Sequence, residues 1–369
     1  MSTSKPTFLK LVQGWFDTEL QPKNADMSKD PEKWHWPVPF VALNLGCLAV
    51  FWTGWSWTAV GVAAALYVIR MFGITGFYHR YFSHRTFRTS RAFQFVMAVV
   101  GNSAAQRGPL WWGAHHRHHH KHSDLPTDTH SPVTGTFWNS HLLWWSRTKN
   151  IATRHELITD LNKYPELRFL DRFDGLVPTL LAVSMFLLGA ALERWAPGLG
   201  TTGPQMLVWG FCISTAVLFH GVATINSLSH VYGRRRYKTT DDSRNNPILA
   251  LITLGEGWHN NHHHYQYSAR NGFFWWEIDI TYYGLKALSW LGLVWDLKPV
   301  PDRIKYGTAQ KADEARKAEA DSVKPSRERE EPAHAPASRP ARPAHVAGLM
   351  PGLPAARPMA PAKGHAKPA

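Results

Sequence analysis

The sequence predicts an all-α integral membrane protein with four transmembrane helices and a cytosolic helical cap holding a histidine-rich metal site. Three observations predict it. Long apolar runs reach the roughly 20 residues that a helix needs to cross a bilayer. Lys and Arg collect on one side of those runs. All but four of the 21 histidines lie between His79 and His264.

Residues 1–36 form a polar segment of mixed charge, placed in the cytosol. Within it Phe8, Leu9, Leu11, Val12, Trp15 and Phe16 fit an amphipathic helix, either lying on a membrane surface or loosely packed at the terminus. Lys5 and Lys10 have no apolar core behind them, which argues against a cleavable signal peptide. Residues 37–300 form the membrane domain, with spans at about 37–54, 58–77, 176–193 and 206–226. Arg70 is the only charge between Pro37 and Phe77. The runs turn at Thr53-Gly54-Trp55-Ser56-Trp57 and at Pro197-Gly198-Leu199-Gly200.

Two further apolar stretches are too interrupted to span. Residues 93–105 contain Gly101, Asn102 and Ser103 and read as buried or re-entrant. Residues 273–294 contain Glu277, Asp279 and Lys286 and read as an interfacial helical pair. From residue 301 to 369 a mixed-charge stretch gives way to a Pro/Ala/Arg-rich tail, which predicts disorder. His334, His345 and His365 in that tail are incidental.

The segment 85–175 carries on the order of a dozen Lys and Arg, and the turns near 55 and 197 carry almost none. Both termini and every histidine cluster then face the cytosol. The location is the inner membrane of a bacterium or the endoplasmic reticulum of a eukaryote. The formal charge of +14 is not interleaved with a nucleic-acid module, so no nucleic-acid partner is expected. The two cysteines, Cys47 and Cys212, read as free thiols and exclude cysteine-based zinc or iron–sulfur chemistry.

Residues three and four apart share a helix face. His116, His119 and His120 therefore converge, as do His259, His262 and His263, and as do Asn226 and His230. His79 and His84 are five apart, about 140° around an α-helix, so the helix is expected to end between them. Nine imidazoles and one amide suit two five- or six-coordinate ions. Spacing alone leaves the metal open among iron, zinc, copper and nickel. It also leaves the register open, since His115, His119 and His120, or His259, His263 and His264, give similar clusters. His115, His118, His122 and His264 read as extra members of their runs, and His35, His141, His155 and His220 as ordinary histidines. Trp111, Trp112, Trp138, Trp144, Trp145 and Trp258 fit either an apolar channel or packing and interface anchoring. A non-catalytic metal transporter would instead spread histidines through the membrane depth.

At these residues the chain resembles the membrane fatty acid desaturases of the acyl-CoA delta-9 (stearoyl-CoA desaturase) type. The matching pieces begin with Gly73-Ile74-Thr75, His79-Arg80-x-x-Ser83-His84-Arg85 and His116-Arg117-x-His119-His120-Lys121 with Ser123-Asp124. Asp128-x-His130, Asn226-Ser227-x-x-His230 with Gly233, and Gly255-Glu256-Gly257-Trp258-His259-Asn260-x-His262-His263 follow. The resemblance covers about residues 38–298. It implies a non-haem di-iron centre with His79, His84, His116, His119, His120, His230, His259, His262 and His263 as ligands and Asn226 acting through a water. It implies O2-dependent insertion of a cis double bond into a saturated C16 or C18 acyl-CoA, the acyl chain lying in a kinked tunnel. The electron donor would be a separate ferredoxin or small haem-cytochrome with its reductase. Tyr67, Met71, Trp112 and Trp258 are the substrate-binding candidates, and Met71 is expected to shorten the tunnel. The chain departs from the animal pattern at Ala114, His115 and Gln106-Arg107-Gly108, which bears on the head group, and at Ala223, where the family has a tunnel tryptophan. The rival reading is a membrane di-iron hydroxylase of alkyl chains or sterols.

Overall fold

The computed structural model describes residues 8–21 and 37–307. These fall in one unit, Met1–Ala312. Residues 1–7, 22–36 and most of the expected tail, from 308 onward, lie outside the described residues. The described part of that tail, 301–307, continues the domain through the short helix Asp302–Lys305, where Tyr237 Oη donates to Lys305 O at 2.7 Å.

Three helices are long and apolar enough to cross a membrane: Trp57–Ser83, Leu176–Trp195 and Gly203–Ser227. The first expected span, 37–54, is the shorter apolar stretch Val38–Thr53. Gly54 turns the chain with φ 67°, and the Ser56 hydroxyl caps the next helix by accepting from Ala59 N at 3.1 Å. Trp52, Trp55, Trp57 and Trp195 stand exposed at these ends, where indole rings anchor at an interface. Arg70, buried mid-helix, donates to Thr215 Oγ1 (2.7 Å), Ser214 Oγ (2.6 Å) and the carbonyl of Ser103 (3.2 Å). Its charge is thereby spread over neutral acceptors on two other segments.

The helix Trp57–Ser83 has 27 residues and extends at most about 40 Å, beyond the roughly 30 Å of a hydrocarbon core. Its last part carries His79, and His84 follows directly as its C-cap. As expected, the helix ends between them, at Ser83, but it does not stay α-helical up to that point. From Gly73 to Ser83 it widens into a π-helix. A π turn closes i to i+5, which stacks residues five apart on one face. The His79 and His84 ring centroids come to 5.0 Å, which a continuous α-helix would prevent. The Ser83 hydroxyl donates to Tyr78 O at 2.9 Å, and Thr86 N donates to Arg80 O at 3.0 Å, so carbonyls near the end of the wide turn have partners.

The remaining elements assemble around this end. The helix Arg91–Asn102 packs on the wide segment, and Gly101 lies against the Tyr78 ring with no room for a side chain. The helix Pro109–His122 carries the dense histidine run, and the short helix His259–His264 carries the last cluster. Beneath them Met71, Ile74, Phe77, Tyr78, Phe82 and Leu110 form part of one buried core. The expected amphipathic helix appears as Phe8–Phe16, and beyond it Asp17 pairs with Arg172 at 2.8 Å.

The helical pair expected over 273–294 is a single helix, Ile280–Trp290. Upstream, Glu277 accepts from the amides of Phe273 (2.7 Å) and Phe274 (3.2 Å), which folds that stretch as a carboxylate-centred turn. Downstream, Val294–Trp295 pairs antiparallel with Arg88–Thr89, a small departure from an all-helical fold.

Arg80 ties the two halves together. Fully buried, it donates to Ala269 O at 2.8 Å and pairs with Glu256 (2.9 Å) and Asp279 (3.0 Å). Removing one member of such a network strands buried charges. Arg80→Met is expected to destabilise the metal-free protein by about 3–5 kcal/mol, read by thermal unfolding in detergent.

Candidate metal centre

Five imidazoles form the first group: His79, His84, His116, His120 and His262. Their Nε2 atoms run in an unbroken chain of contacts. His79 meets His262 at 2.9 Å, His262 meets His120 at 2.9 Å, His120 meets His116 at 3.0 Å, and His116 meets His84 at 2.8 Å. Protons cannot satisfy this chain. A neutral ring nitrogen is either a donor or an acceptor, and each middle member has two ring nitrogens against it. One cation accepting all five lone pairs does satisfy it. Metal–nitrogen bonds of about 2.1 Å at right angles place neighbouring nitrogens roughly 3.0 Å apart, which is the spacing found.

His119, His230, His259 and His263 form the second group, with ligand atoms within 4.8 Å of one another. His230 and His259 face each other through Nε2 at 3.1 Å, and His263 Nε2 is buried with no partner. An orphaned buried nitrogen beside three inward-facing rings fits a metal and little else. Carboxylates set the tautomers. Asp128 accepts from His119 Nδ1 at 3.0 Å, Asp124 from His230 Nδ1 at 2.9 Å, and Asp241 from His263 Nδ1 at 2.6 Å. In the first group Glu256 contacts His79 Nδ1. A ring whose Nδ1 carries the proton presents a bare Nε2 lone pair inward.

The electrostatics keep those lone pairs free. Burial, and after it the neighbouring imidazoles, push His84, His116, His120, His259 and His262 far below the usual histidine value. Burial lowers His263 to about 4 despite Asp241. His119 moves the other way, because Asp128, Asp124 and Asp241 together outweigh its burial. Burial works to raise the Asp124 carboxyl, but the hydrogen bonds from His230, Ser131 and Asp242 N outweigh it and hold it at about 2.

A cavity joins both groups to the apolar interior. His79, His116, His119, His259, Asn226 and Glu256 line it, together with Met71, Ile74, Val222 and Ile225. Trp112 lines it too and stacks on His116 at 5.0 Å. Residues 55–290 match the family "Fatty acid desaturase". The chain belongs to the fatty acid desaturase family. It is thus an oxidoreductase family acting on fatty acids.

Among relatives of this desaturase is an acyl-CoA 5-desaturase of Anemone leveillei, 39% identical over 266 residues, covering 71% of this chain and 78% of the relative. The sn-1 stearoyl-lipid 9-desaturase of Anabaena variabilis is 35% identical over 277 residues, covering 74% and 97%. The chloroplastic palmitoyl-monogalactosyldiacylglycerol delta-7 desaturase of Arabidopsis thaliana is 35% identical over 292 residues, covering 75% of each chain.

The structure brings all nine histidines singled out in the sequence into the two groups, and places Asn226 on the shared cavity. The alternative registers do not form. His115 lies buried against Trp111 with Nε2 at 3.3 Å from Ala152 O, and His264 stacks on Tyr237 at 4.1 Å. His118 and His122 stack on each other at 4.2 Å. Two of the four substrate candidates, Met71 and Trp112, line the cavity. The other two do not. Tyr67 Oη is tied to Ile252 O at 2.7 Å, and Trp258 Nε1 is tied to Ile278 O at 2.8 Å, so Trp258 braces the carboxylate-centred turn.

The sequence motifs included Asp124, Asp128, Glu256 and His130 without giving them a role, and Asp241 was not among them; His130 stacks on His119 at 4.3 Å and shares Asp128 with it. The available signal was Asp124, Asp128 and His130 standing within ten residues of the His run. Metal analysis of purified variants discriminates the roles. His262→Ala, in contact with two other rings, is expected to lose at least half of the bound metal, whereas His118→Ala and His264→Ala retain it.

Proposed function

We propose that this desaturase removes two vicinal hydrogens from a saturated C16 or C18 acyl-CoA, leaving a cis double bond at the delta-9 position. One observation carries the reading: the cavity has metal-facing imidazoles and an apolar wall of Met71, Ile74, Val222 and Ile225 in the same space. An acyl chain buried there gains about 0.8 kcal/mol per methylene, and its registry against the imidazoles selects the carbon attacked. Two irons held by the nine histidines, with Asn226 acting through a water, would supply with O2 the oxidant that an unactivated C–H bond needs.

The chain's own residues do the rest. Glu256, Asp124, Asp128 and Asp241 fix the ring tautomers. The apolar wall excludes water from the reacting methylenes. Reducing O2 to two waters takes four electrons, and the substrate gives two. The other two come from a separate donor, a ferredoxin or small haem-cytochrome with its reductase, and the chain's net charge of +14 suits an acidic one. In the membrane, four spans with both termini and the histidines in the cytosol fit the distribution of Lys and Arg. The relatives act on acyl-CoA and on acyl-lipid substrates, by their names. Ala114 and His115 are buried within the protein, so the head group is held by other residues.

Expression in a desaturase-deficient cell, with mapping of fatty acid double bonds, tests the reading. Delta-9 monoenes in the acyl-CoA pool support it. A hydroxylated product, or double bonds appearing first in intact lipids, overturns the reaction or the substrate respectively. Chain length is tested separately. Met71 is fully buried on the cavity, and its Cε reaches to 3.2 Å of where a Cβ on Gly221 would stand. Met71 thus fills the space between two membrane helices. Met71→Ala is expected to raise the C18:C16 product ratio by up to about tenfold, the worth of two methylenes. An unchanged ratio counts against the role of Met71.

A further inference from the structure

We infer that the two metal positions are electronically unequal, and that Asp124, Asp128 and Asp241 make the four-histidine position the one that favours the higher-charged ion. This rests on the reading that two irons occupy the two groups. In the four-histidine group three rings carry a carboxylate at Nδ1: His119 on Asp128, His230 on Asp124 and His263 on Asp241. In the five-histidine group Glu256 serves His79. Among the described residues, His84, His116, His120 and His262 form no pair with a carboxylate.

The carboxylates also differ in what else they meet. Apart from its imidazole, Asp124 accepts from the Ser131 hydroxyl (2.5 Å) and Asp242 N (2.8 Å). Asp128 accepts from the amides of Asp124 (3.0 Å) and His130 (3.3 Å), and Asp241 from Ser243 N (3.1 Å). These partners are neutral dipoles, and among the described residues no Arg or Lys pairs with the three aspartates. Glu256, by contrast, pairs with the Arg80 guanidinium at 2.9 Å, which Asp279 shares at 3.0 Å. Arg117, which donates to Ser83 O at 2.9 Å, is paired with Asp160 at 2.7 Å. The four-histidine position therefore sits among three carboxylates with no cation paired to them, and the five-histidine position beside one carboxylate that shares a guanidinium.

A carboxylate on Nδ1–H makes the ring a stronger donor and places a negative charge one ring away from the metal. Coulomb attraction scales with the charge of the ion, so these anions favour Fe(III) over Fe(II) at that position. Oxidation of the two-iron protein then proceeds in order. The four-histidine iron gives up the first electron, Fe(II) to Fe(III), and the five-histidine iron the second. On reduction by a one-electron donor the order reverses.

The test uses full-length protein loaded anaerobically with 57Fe(II). Iron is counted first. The protein is then oxidised stepwise with ferricyanide, which takes one electron per equivalent, and followed by Mössbauer spectroscopy. At one equivalent the expected state is one ferrous and one ferric iron per chain. The two steps should differ at least 100-fold in equilibrium constant, about 120 mV at 59 mV per decade. Asp128→Asn and Asp241→Asn should each shift the first step by about tenfold and leave the second in place. Glu256→Gln should shift the second step. The wild-type titration stands without any variant having to fold. Two irons that oxidise together, or an Asp128→Asn protein in which both steps move equally, overturn the inference alone. A count other than two irons removes the two-iron reading, and the inference with it.

Discussion

Everything in this structure answers to one constraint: seven imidazole Nε2 atoms meet one another across about 3 Å, and His119 and His263 crowd into the same space. Left to themselves such rings would turn away or take up protons. Here burial disfavours the protonated form of His84, His116, His120, His259, His262 and His263, and carboxylates on the outer nitrogens of His79, His119, His230 and His263 disfavour their flipped tautomer. The inward nitrogens are then committed before any ion arrives. Around these nitrogens the chain is built from short, heavily hydrogen-bonded pieces. A helix of six residues, His259–His264, is marginal alone, but Asn260 and Asn261 lock it to Tyr237 N (2.7 Å) and to the side chains of Asn245 (2.7 Å) and Glu277 (2.8 Å).

The same constraint explains the wide turn of the helix Trp57–Ser83. Two rings five residues apart must serve one ion, and α-helical geometry forbids it. The chain could break the helix or widen it. It widens it, with Gly73 against the backbone of Gly101 and the Ser83 hydroxyl closing on Tyr78 O. Carried through to Ser83, the helix keeps His79 on the same rigid body as Met71 and Ile74, which line the cavity. The apolar wall and the imidazoles are thereby registered to each other without an intervening loop.

This shows what sequence could and could not supply. The i, i+3, i+4 spacing of His116, His119 and His120 was legible because it needs only an α-helix. The helix end between His79 and His84 was legible from their spacing, but its π character was not, because a π turn leaves no mark in hydrophobic periodicity. Apolar spans were legible from composition, apart from Val38–Thr53, which is shorter than expected. Trp258 looked like a channel residue because aromatic composition carries no direction. Its indole N–H, bonded to Ile278 O, shows which way it points. The aspartates were least legible of all: Asp241 reaches His263 across 22 positions and Asp124 reaches His230 across 106, distances that no local pattern encodes.

The division of labour among these residues also bears on how one family serves several substrates. The parts that hold the imidazoles are redundant and buried: Arg80, Glu256, Asp279 and Asn261 each have two or more partners. Changing any of them strands a charge or an amide. The apolar lining of the cavity is simple by comparison. Met71 and Ile74 contribute volume, and Val222 and Ile225 contribute surface. Exchanging one apolar side chain for another of similar size costs little stability, usually below about 1.5 kcal/mol. Relatives named for the delta-5, delta-7 and delta-9 positions can therefore share a metal-binding frame while their cavities diverge. The frame is costly to change because its interactions are polar and buried. The cavity wall is cheaper to change because its interactions are apolar and non-directional.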